Sequence, residues 1–117
     1  MAVKALSYIG VNSDKFEDWS IYSQKYLGMQ KIDRGKDILS FRMDDQKQRL
    51  TITGEKEDDL GFLGWEVETK EDLQIFASKL EKNKIIVQQG KSSLADKRFV
   101  EDLIYFDDPQ GNRIELV

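Results

Sequence analysis

The chain has 117 residues and contains no cysteine, no histidine and only one proline. The lack of cysteine excludes disulfide bonds, thiolate metal sites and cysteine nucleophiles. The lack of histidine removes the commonest ligand of transition metals and the side chain that titrates most readily near neutral pH. A zinc or non-haem iron site would then depend on carboxylates alone, which match these metals poorly. On its own, therefore, the chain is not expected to be a working metalloenzyme.

A strong charge of one sign and long apolar runs are also missing. The 18 Lys and Arg residues are scattered among 22 Asp and Glu residues, and the net charge is −4. A nucleic-acid partner would need a basic stripe, which this pattern does not provide. No apolar run approaches the roughly 18 residues of a membrane span, and the N-terminus lacks the layout of a signal peptide. We expect neither a nucleic-acid nor a membrane partner, and a cytoplasmic location is the default.

Carboxylates are plentiful, and three adjacent pairs could in principle bind calcium or magnesium. These pairs are Asp44-Asp45, Asp58-Asp59 and Asp107-Asp108. None has the alternating spacing of an EF-hand loop, and each stands at a turn or strand end, where Asp is favoured for local hydrogen bonding. The sequence therefore favours solvated turns over cation sites.

The first half of the chain predicts one strand, one helix and three further strands. Ala5 to Val11 forms a buried strand, and Asp14 with Glu17 three residues later has the spacing of a capping box. The helix ends at Gly28, and its apolar face is predicted to comprise Phe16, Trp19, Tyr22 or Ser23, and Tyr26. The three strands are predicted at 29–33, 38–43 and 49–53, with polar turns at 35–37 and 44–47 between them.

The second half repeats this order. Asp59 to Val67 is a strand, and Thr69 opens a helix whose buried stripe is Leu73, Phe76, Ala77 and Leu80. Further strands are predicted at 85–88, 103–106 and 113–117. A loop or short helical turn is expected at 90–99, and a turn at 108–112.

The sequence of the first half aligns with that of the second half when it is shifted by one fixed number of residues. This shift places Tyr8 on Phe62 and Gly10 on Gly64, and it aligns the helices as well. Coincident glycines are not expected of any two strand–helix units, so the pattern favours duplication. It predicts a single α+β domain over 1–117, built from two tandem βαβββ modules at about 3–54 and 57–117. Their curved sheets would surround a shared concave cavity with the helices outside. Strand alternation places Tyr8 and Phe62 on the inner face, whereas Trp19 and Trp65 should lie in helix–sheet cores.

The ending of the chain, Phe106 to Leu116 (FDDPQGNRIEL), carries a resemblance to a known family. Together with the duplicated module, its aspartate-proline-x-glycine-asparagine turn and following strand with a glutamate resemble the vicinal oxygen chelate superfamily. That superfamily includes glyoxalase I, bleomycin-resistance proteins and type I extradiol dioxygenases. The resemblance covers essentially the whole chain.

A narrower resemblance lies in the segments Leu6–Val11, Asp59–Val67, Gly90–Val100 and Leu103–Pro109. They look like the N-terminal domain of two-domain extradiol dioxygenases that act on dihydroxybiphenyl-like catechols. The resemblance implies that this domain is a catalytically silent copy. The C-terminal domain would hold ferrous iron on two histidines and a glutamate, and would open the catechol ring with dioxygen.

The resemblance also locates the family's metal-ligand positions in this chain. They fall on Tyr8, on about Thr51, on Phe62 and on Glu115, which alone is an anionic ligand. We therefore expect no catalytic residue, no metal and no cofactor in this chain, and these four residues become candidates for lining a ligand cavity. Tyr8 could donate a hydrogen bond or simply pack, and Phe62 is most simply a plug in the metal's place. Glu115 could be a ligand, a general base or a remnant paired with Arg49 or Arg113.

The leading hypothesis is a non-catalytic N-terminal-type domain of an extradiol dioxygenase, with a structural and packing role beside an absent iron-bearing catalytic domain. It predicts an exposed apolar patch that awaits a partner. The alternative is a stand-alone, metal-free protein of the bleomycin-resistance type that binds an aromatic small molecule in the cleft of a dimer. A single-domain dioxygenase with an unusual ligand set is disfavoured by the substituted ligand positions. The partner would be a C-terminal catalytic domain or a second copy of the chain.

Overall fold

A computed structural model of the chain describes residues 2–32, 34, 37–54 and 59–117. Its strands are β1 (Ala5–Asn12), β2 (Gln30–Ile32), β3 (Leu39–Arg42), β4 (Leu50–Ile52), β5 (Asp59–Glu66), β6 (Gln88–Gln89), β7 (Ile104–Asp107) and β8 (Arg113–Leu116). Its helices are α1 (Phe16–Ile21), which continues as a π-helical turn (Tyr22–Tyr26), α2 (Lys70–Lys82) and α3 (Ser92–Arg98). The fold is of the mixed α+β class. Some predicted features lie partly outside the described residues. They are the end of the strand predicted at 29–33, the start of the turn predicted at 35–37, and the segment 55–58 between the two modules, which includes Asp58.

One compact unit comprises Tyr8–Gly61. Its strand order is β2-β3-β4-β1, in which β1 and β4 are parallel and the other pairs are antiparallel. The core consists of Leu39, Phe41 and Ile52, against which Phe16 and Trp19 of α1 pack. Trp19 therefore contributes to the core as predicted. Val11 packs against the same cluster, on the face of β1 opposite to Tyr8, as strand alternation requires.

The start of α1 corrects one prediction. Asp14 does not cap the helix, because α1 begins at Phe16 with Lys15 at the cap position and no side-chain hydrogen bond there. Instead the Ser13 hydroxyl accepts from the backbone amide of Lys15 at 3.2 Å. The capping-box spacing from Asp14 to Glu17 is thus one residue out of phase with the helix that forms.

The π-helical turn corrects the predicted apolar face. The amide of Leu27 donates to the carbonyl of Tyr22, five residues back, and this wider turn shifts the helical phase. Ser23 is consequently fully buried, whereas Tyr22 is 51% and Tyr26 is 68% exposed. The prediction that Tyr26 lies on the buried face was therefore wrong. Periodicity of 3.6 residues cannot anticipate a π turn.

The second compact unit comprises Phe62–Val117 and the segment before Tyr8. Its strand order is β5-β8-β7-β6, again with one parallel pair, β5 with β8. Val67, Leu73, Ile104 and Leu116 form its core, and Trp65, Phe76 and Ala77 pack against them. Thr69 caps α2: its hydroxyl accepts from the Asp72 amide, and the Asp72 carboxylate accepts from the Thr69 amide.

Two weaker predictions for this unit are settled by the structure. The strand expected at 85–88 is limited to Gln88–Gln89, because only these residues pair with β7. Residues 90–99 contain a helix, α3, rather than an open loop. Phe99 ends α3 in a left-handed conformation with φ of 57°, a region that a bulky residue adopts rarely.

The shift that relates the two halves of the sequence also relates the element boundaries. β1 starts at Ala5 and β5 at Asp59, and the two strands are equally long and alternate in burial in the same way. The same shift carries the start of α1 at Phe16 onto the start of α2 at Lys70. Both units therefore place a helix after their first strand, and both pair that strand in parallel with their last.

Candidate functional site

Thr51 and Tyr8 belong to the unit Tyr8–Gly61, and both are 3% exposed. Thr51 lies opposite Gly10 in the parallel pair of β1 and β4. Its hydroxyl is 3.4 Å from that of Ser40, which is fully buried. The first-half candidates thus lie in a buried, hydroxyl-bearing part of the sheet.

Phe62 and Glu115 belong to the other unit. Glu115 lies opposite Gly64 in the parallel pair of β5 and β8, just as Thr51 lies opposite Gly10. The register thus gives Thr51 and Glu115 equivalent places in their units. Glu115 is fully buried and Phe62 is 5% exposed.

Arg98, which sequence reasoning missed, connects these two residues. Its Nε donates to Glu115 Oε1 at 2.8 Å and a terminal nitrogen donates to Oε2 at 3.0 Å. Its guanidinium carbon lies 3.8 Å from the centroid of the Phe62 ring. The only sequence signal was indirect: a buried carboxylate requires a buried cation, and the last turn of α3 supplies one.

Arg113 is the second cation that contacts Glu115. This confirms one of the two partners predicted for Glu115, Arg49 and Arg113. The Nε of Arg113 donates to Glu115 Oε2 at 3.0 Å, and its guanidinium carbon lies 3.8 Å from the Tyr105 ring centroid. Arg49, the other predicted partner, binds Asp44 through hydrogen bonds from Nε and a terminal nitrogen, and its pairing with Glu115 stays a prediction. The side-chain contact with Arg49, opposed by partial desolvation, lowers the pKa of Asp44 below its usual value.

The residues at the family's ligand positions do not fit a ferrous ion. Both oxygens of Glu115 already accept hydrogen bonds from guanidinium groups. The aromatic ring of Phe62 offers no donor atom that iron prefers. Across residues 2–32, 34, 37–54 and 59–117, no group of three or more His, Cys, Asp or Glu side chains could hold a metal ion. In this unit Arg98 donates hydrogen bonds to both oxygens of the Glu115 carboxylate, the group that a metal ion would need as a ligand.

Among the aspartate pairs, Asp44 and Asp108 are turn residues, whereas Asp59 begins β5 and Asp107 ends β7. Asp44 accepts from the Gln46 amide as well as from Arg49. Asp108 accepts from the backbone amides of Gln110 and Asn112 within the turn before β8. The backbone hydrogen bond from Asn112 is the main reason that the pKa of Asp108 is lowered. Asp59 accepts from the side chain of Asn12.

An exposed apolar surface covers the outer side of α1 and the π-helical turn. Ile21, Tyr22, Tyr26 and Leu27 are each between 48% and 68% exposed. The Tyr22 ring packs against those of Trp19 and Tyr26 with centroid separations of 6.1 and 6.0 Å. Aromatic residues are enriched in protein interfaces, so this surface is a candidate packing face. Over the described part of the chain, none of the helices is both long and apolar enough to cross a membrane.

Comparison with known proteins extends the sequence resemblance. The family described as dihydroxybiphenyl dioxygenase BphC D1 matches residues 6–54. An iron-dependent extradiol dioxygenase of Rhodococcus jostii is 33% identical over 98% of this chain and 39% of its own length. A biphenyl-2,3-diol 1,2-dioxygenase of Sphingomonas paucimobilis is 31% identical over 99% of this chain and 39% of its own length.

A solved structure of a catechol 2,3-dioxygenase superposes on 99% of the chain with a TM-score of 0.94 and 30% identity, covering 41% of that protein. The chain thus spans about two fifths of the length of the relatives it matches. Nearly the whole chain therefore matches, in sequence and in fold, only one part of each of these longer proteins. These matches support the resemblance of the chain to the N-terminal domain of the extradiol dioxygenases, in the vicinal oxygen chelate superfamily.

Proposed function

We propose that the chain is a non-catalytic domain of an extradiol dioxygenase, with a structural role beside a separate iron-bearing catalytic domain. The observation that carries the proposal is the ion pair of Arg98 with Glu115. It neutralises the one anionic side chain among Tyr8, Thr51, Phe62 and Glu115. A carboxylate bound by two guanidinium groups cannot also serve as a metal ligand without a large loss of hydrogen bonding.

The proposal includes an origin by duplication of a βαβββ module. The equal lengths and burial of β1 and β5, and the equivalent register of Thr51 and Glu115, support it. One copy has a hydroxyl where the other has a carboxylate. Neither copy offers a histidine, since the chain has none.

The packing role is supported by the exposed surface of Ile21, Tyr22, Tyr26 and Leu27. Such a surface on an isolated chain is costly unless a partner covers it. Relatives that extend well beyond the matched region supply a second domain as the natural candidate. The shared cavity, its lining by Tyr8, Thr51, Phe62 and Glu115, an aromatic ligand and the cytoplasmic location stay predictions.

Two measurements test the proposal. The first loads the 117-residue chain anaerobically with ferrous ion, adds 2,3-dihydroxybiphenyl or 3-methylcatechol, and admits dioxygen. We expect no iron retained after desalting and no coloured ring-cleavage product, with an active full-length relative treated in parallel as the control. Ring cleavage by this chain alone would refute the proposed inactivity.

The second measurement reads the gene beyond the codon for Val117. We expect an open frame that continues into a second domain containing two histidines and a glutamate as iron ligands. A stop codon there, together with a symmetric dimer in sedimentation, would overturn the proposal in favour of a stand-alone binding protein.

A further inference from the structure

A pocket of about 490 Å³ lies in the unit Phe62–Val117, beside the ends of β6, β7 and β8. Its wall includes Lys84, Ile85, Ile86, Tyr105, Asp107 and Arg113. The predicted cavity-lining residues Tyr8, Thr51, Phe62 and Glu115 are not part of this wall. The pocket combines two cationic side chains and one carboxylate with two aromatic rings, Tyr105 and Phe106, and two aliphatic side chains, so it offers a ligand both charged groups and apolar surface.

Arg113 is held in place by contacts on two sides. Its Nε donates to the buried carboxylate of Glu115, and its guanidinium stacks on Tyr105. The side chain is 34% exposed, and within the described part of the chain its two terminal nitrogens have no hydrogen-bond acceptor. A guanidinium that is fixed at one edge and open at the other is preorganised to bind a carboxylate.

The charges around Arg113 leave an excess of positive charge. Behind the pocket wall, Glu115 forms ion pairs with both Arg98 and Arg113. Lys84 adds a positive charge to the pocket wall and Asp107 a negative one. Although Asp107 lies opposite Arg113 in the β7–β8 register, the ion pair that Arg113 forms is with Glu115. The three charged side chains that line the pocket, Lys84, Arg113 and Asp107, carry one net positive charge, which a single anion would balance.

Lys84 is held at the pocket wall by the C-terminal cap of α2. Lys84 follows the end of α2 with φ of 63°, a left-handed conformation for which glycine or asparagine is usually preferred. The amides of Lys84 and Ile85 donate to the carbonyls of Glu81 and Leu80 in this helix cap, which fixes the backbone of both residues at the pocket wall. Ile86, which also lines the pocket, is 79% exposed, so an apolar ligand surface would gain by covering it.

We propose that this pocket binds a small organic monocarboxylate with an apolar body. The carboxylate accepts hydrogen bonds from the terminal nitrogens of Arg113 and from Lys84, and the apolar body covers Ile85 and Ile86. One net positive charge and aliphatic walls favour such a monoanion over phosphate. The inference is independent of the proposed dioxygenase role, because it concerns residues outside the family's metal-ligand positions.

Calorimetric titration of the 117-residue chain with benzoate at fixed ionic strength tests the proposal, with benzyl alcohol and inorganic phosphate as comparison probes. We expect saturable binding of benzoate in the millimolar range and at least about tenfold weaker binding of the two comparison probes. The variant Lys84→Gln should weaken benzoate binding about fivefold or more. The matched control Lys82→Gln removes an equal charge close by in the sequence but outside this pocket, and should change the affinity less than twofold.

Three results would overturn the inference: no saturation with benzoate up to tens of millimolar, benzyl alcohol binding as tightly as benzoate, or equal losses in the two lysine variants. Lys84 is the test position because Arg113 also supports buried Glu115. A fold defect in an Arg113 variant would be confused with lost binding. Far-UV circular dichroism of both lysine variants verifies that the fold is unchanged.

Discussion

Arg98 and Glu115 form a two-point ion pair, with nitrogen–oxygen distances of 2.8 and 3.0 Å, in which the carboxylate is fully buried and the arginine side chain is 12% exposed. The pair bridges α3 and β8, two elements that are separate in the sequence. Its geometry therefore fixes the position of α3 on the sheet of this unit. Several stability measurements can test how the fold depends on it and on the neighbouring features.

Removing both partners of this pair should cost less than the sum of the losses from removing each partner alone. Arg98→Met or Glu115→Met alone leaves a buried charge with reduced compensation, and each should lower the free energy of unfolding by about 3 kcal/mol or more. The double variant should lose clearly less than the sum of the two, because it removes both charges together. Urea unfolding of the four proteins measures this coupling.

A matched control is the exposed ion pair of Lys70 and Glu101, at 3.8 Å with side chains 60% and 84% exposed. Glu101→Gln should change the unfolding free energy by less than about 0.5 kcal/mol. Additive losses for Arg98→Met and Glu115→Met would contradict the ion pair as the stabilising unit.

The two predicted helix starts should respond differently to alanine. Thr69→Ala removes the hydroxyl that accepts from the Asp72 amide, and should destabilise the chain by about 1 kcal/mol. Asp14→Ala should have an effect within about 0.5 kcal/mol, because Asp14 caps nothing in α1. Chemical denaturation of both variants is the measurement, and a larger loss for Asp14→Ala would show that the observed start of α1 is wrong.

Two fully buried serines form another matched pair. Ser23 Oγ has no hydrogen-bond partner within the described residues, whereas the Ser40 hydroxyl lies 3.4 Å from that of Thr51. Ser23→Ala should leave stability unchanged or raise it by up to about 1 kcal/mol, since a buried unpaired hydroxyl is unfavourable. Ser40→Ala should lower it by about 1 kcal/mol, because Thr51 loses a partner. Thermal unfolding would reveal the opposite order if Ser23 has a role in the π-helical turn.

Asp108 should make stability depend on pH in the acid range. Hydrogen bonds from the turn backbone lower its pKa in the folded chain, so the ionised carboxylate stabilises the fold at pH values above the unfolded pKa of about 4. This contribution disappears as the pH falls through the folded pKa. The stability difference between the natural chain and Asp108→Asn, measured by urea unfolding from pH 7 to pH 2, should therefore shrink below about pH 4. A difference that stays constant to pH 2 would rule out the carboxylate charge as its cause.

The sequence predicted well the features that depend on local pattern. Thr69 opens α2, Gly28 follows the end of the first helical segment, and both tryptophans contribute to core packing. Strand cores were placed correctly because alternation of apolar residues determines which face is buried. The predicted and observed element boundaries differ mainly at the ends of short strands, such as β6.

The failures share a physical cause, which is competition between a local signal and a longer-range one. Asp14 has the spacing of a capping residue, but packing of Phe16 and Trp19 on the sheet determines the helix phase. The π-helical turn then rotates Tyr26 to the surface. Arg98 could not be matched to Glu115, because their contact depends on how α3 lies against β8.

Arg98 stacks on the ring of Phe62 and donates hydrogen bonds to Glu115. This arrangement limits which single substitutions this part of the chain tolerates. Loss of Arg98 alone leaves a buried carboxylate with one remaining cation, and loss of Glu115 alone leaves two guanidinium groups without their anion. A histidine introduced at Phe62 would meet the guanidinium of Arg98 at stacking distance rather than a metal ion. Creation of a metal-ligand set in this unit would therefore require coordinated replacements with destabilised intermediates, and no single substitution provides it.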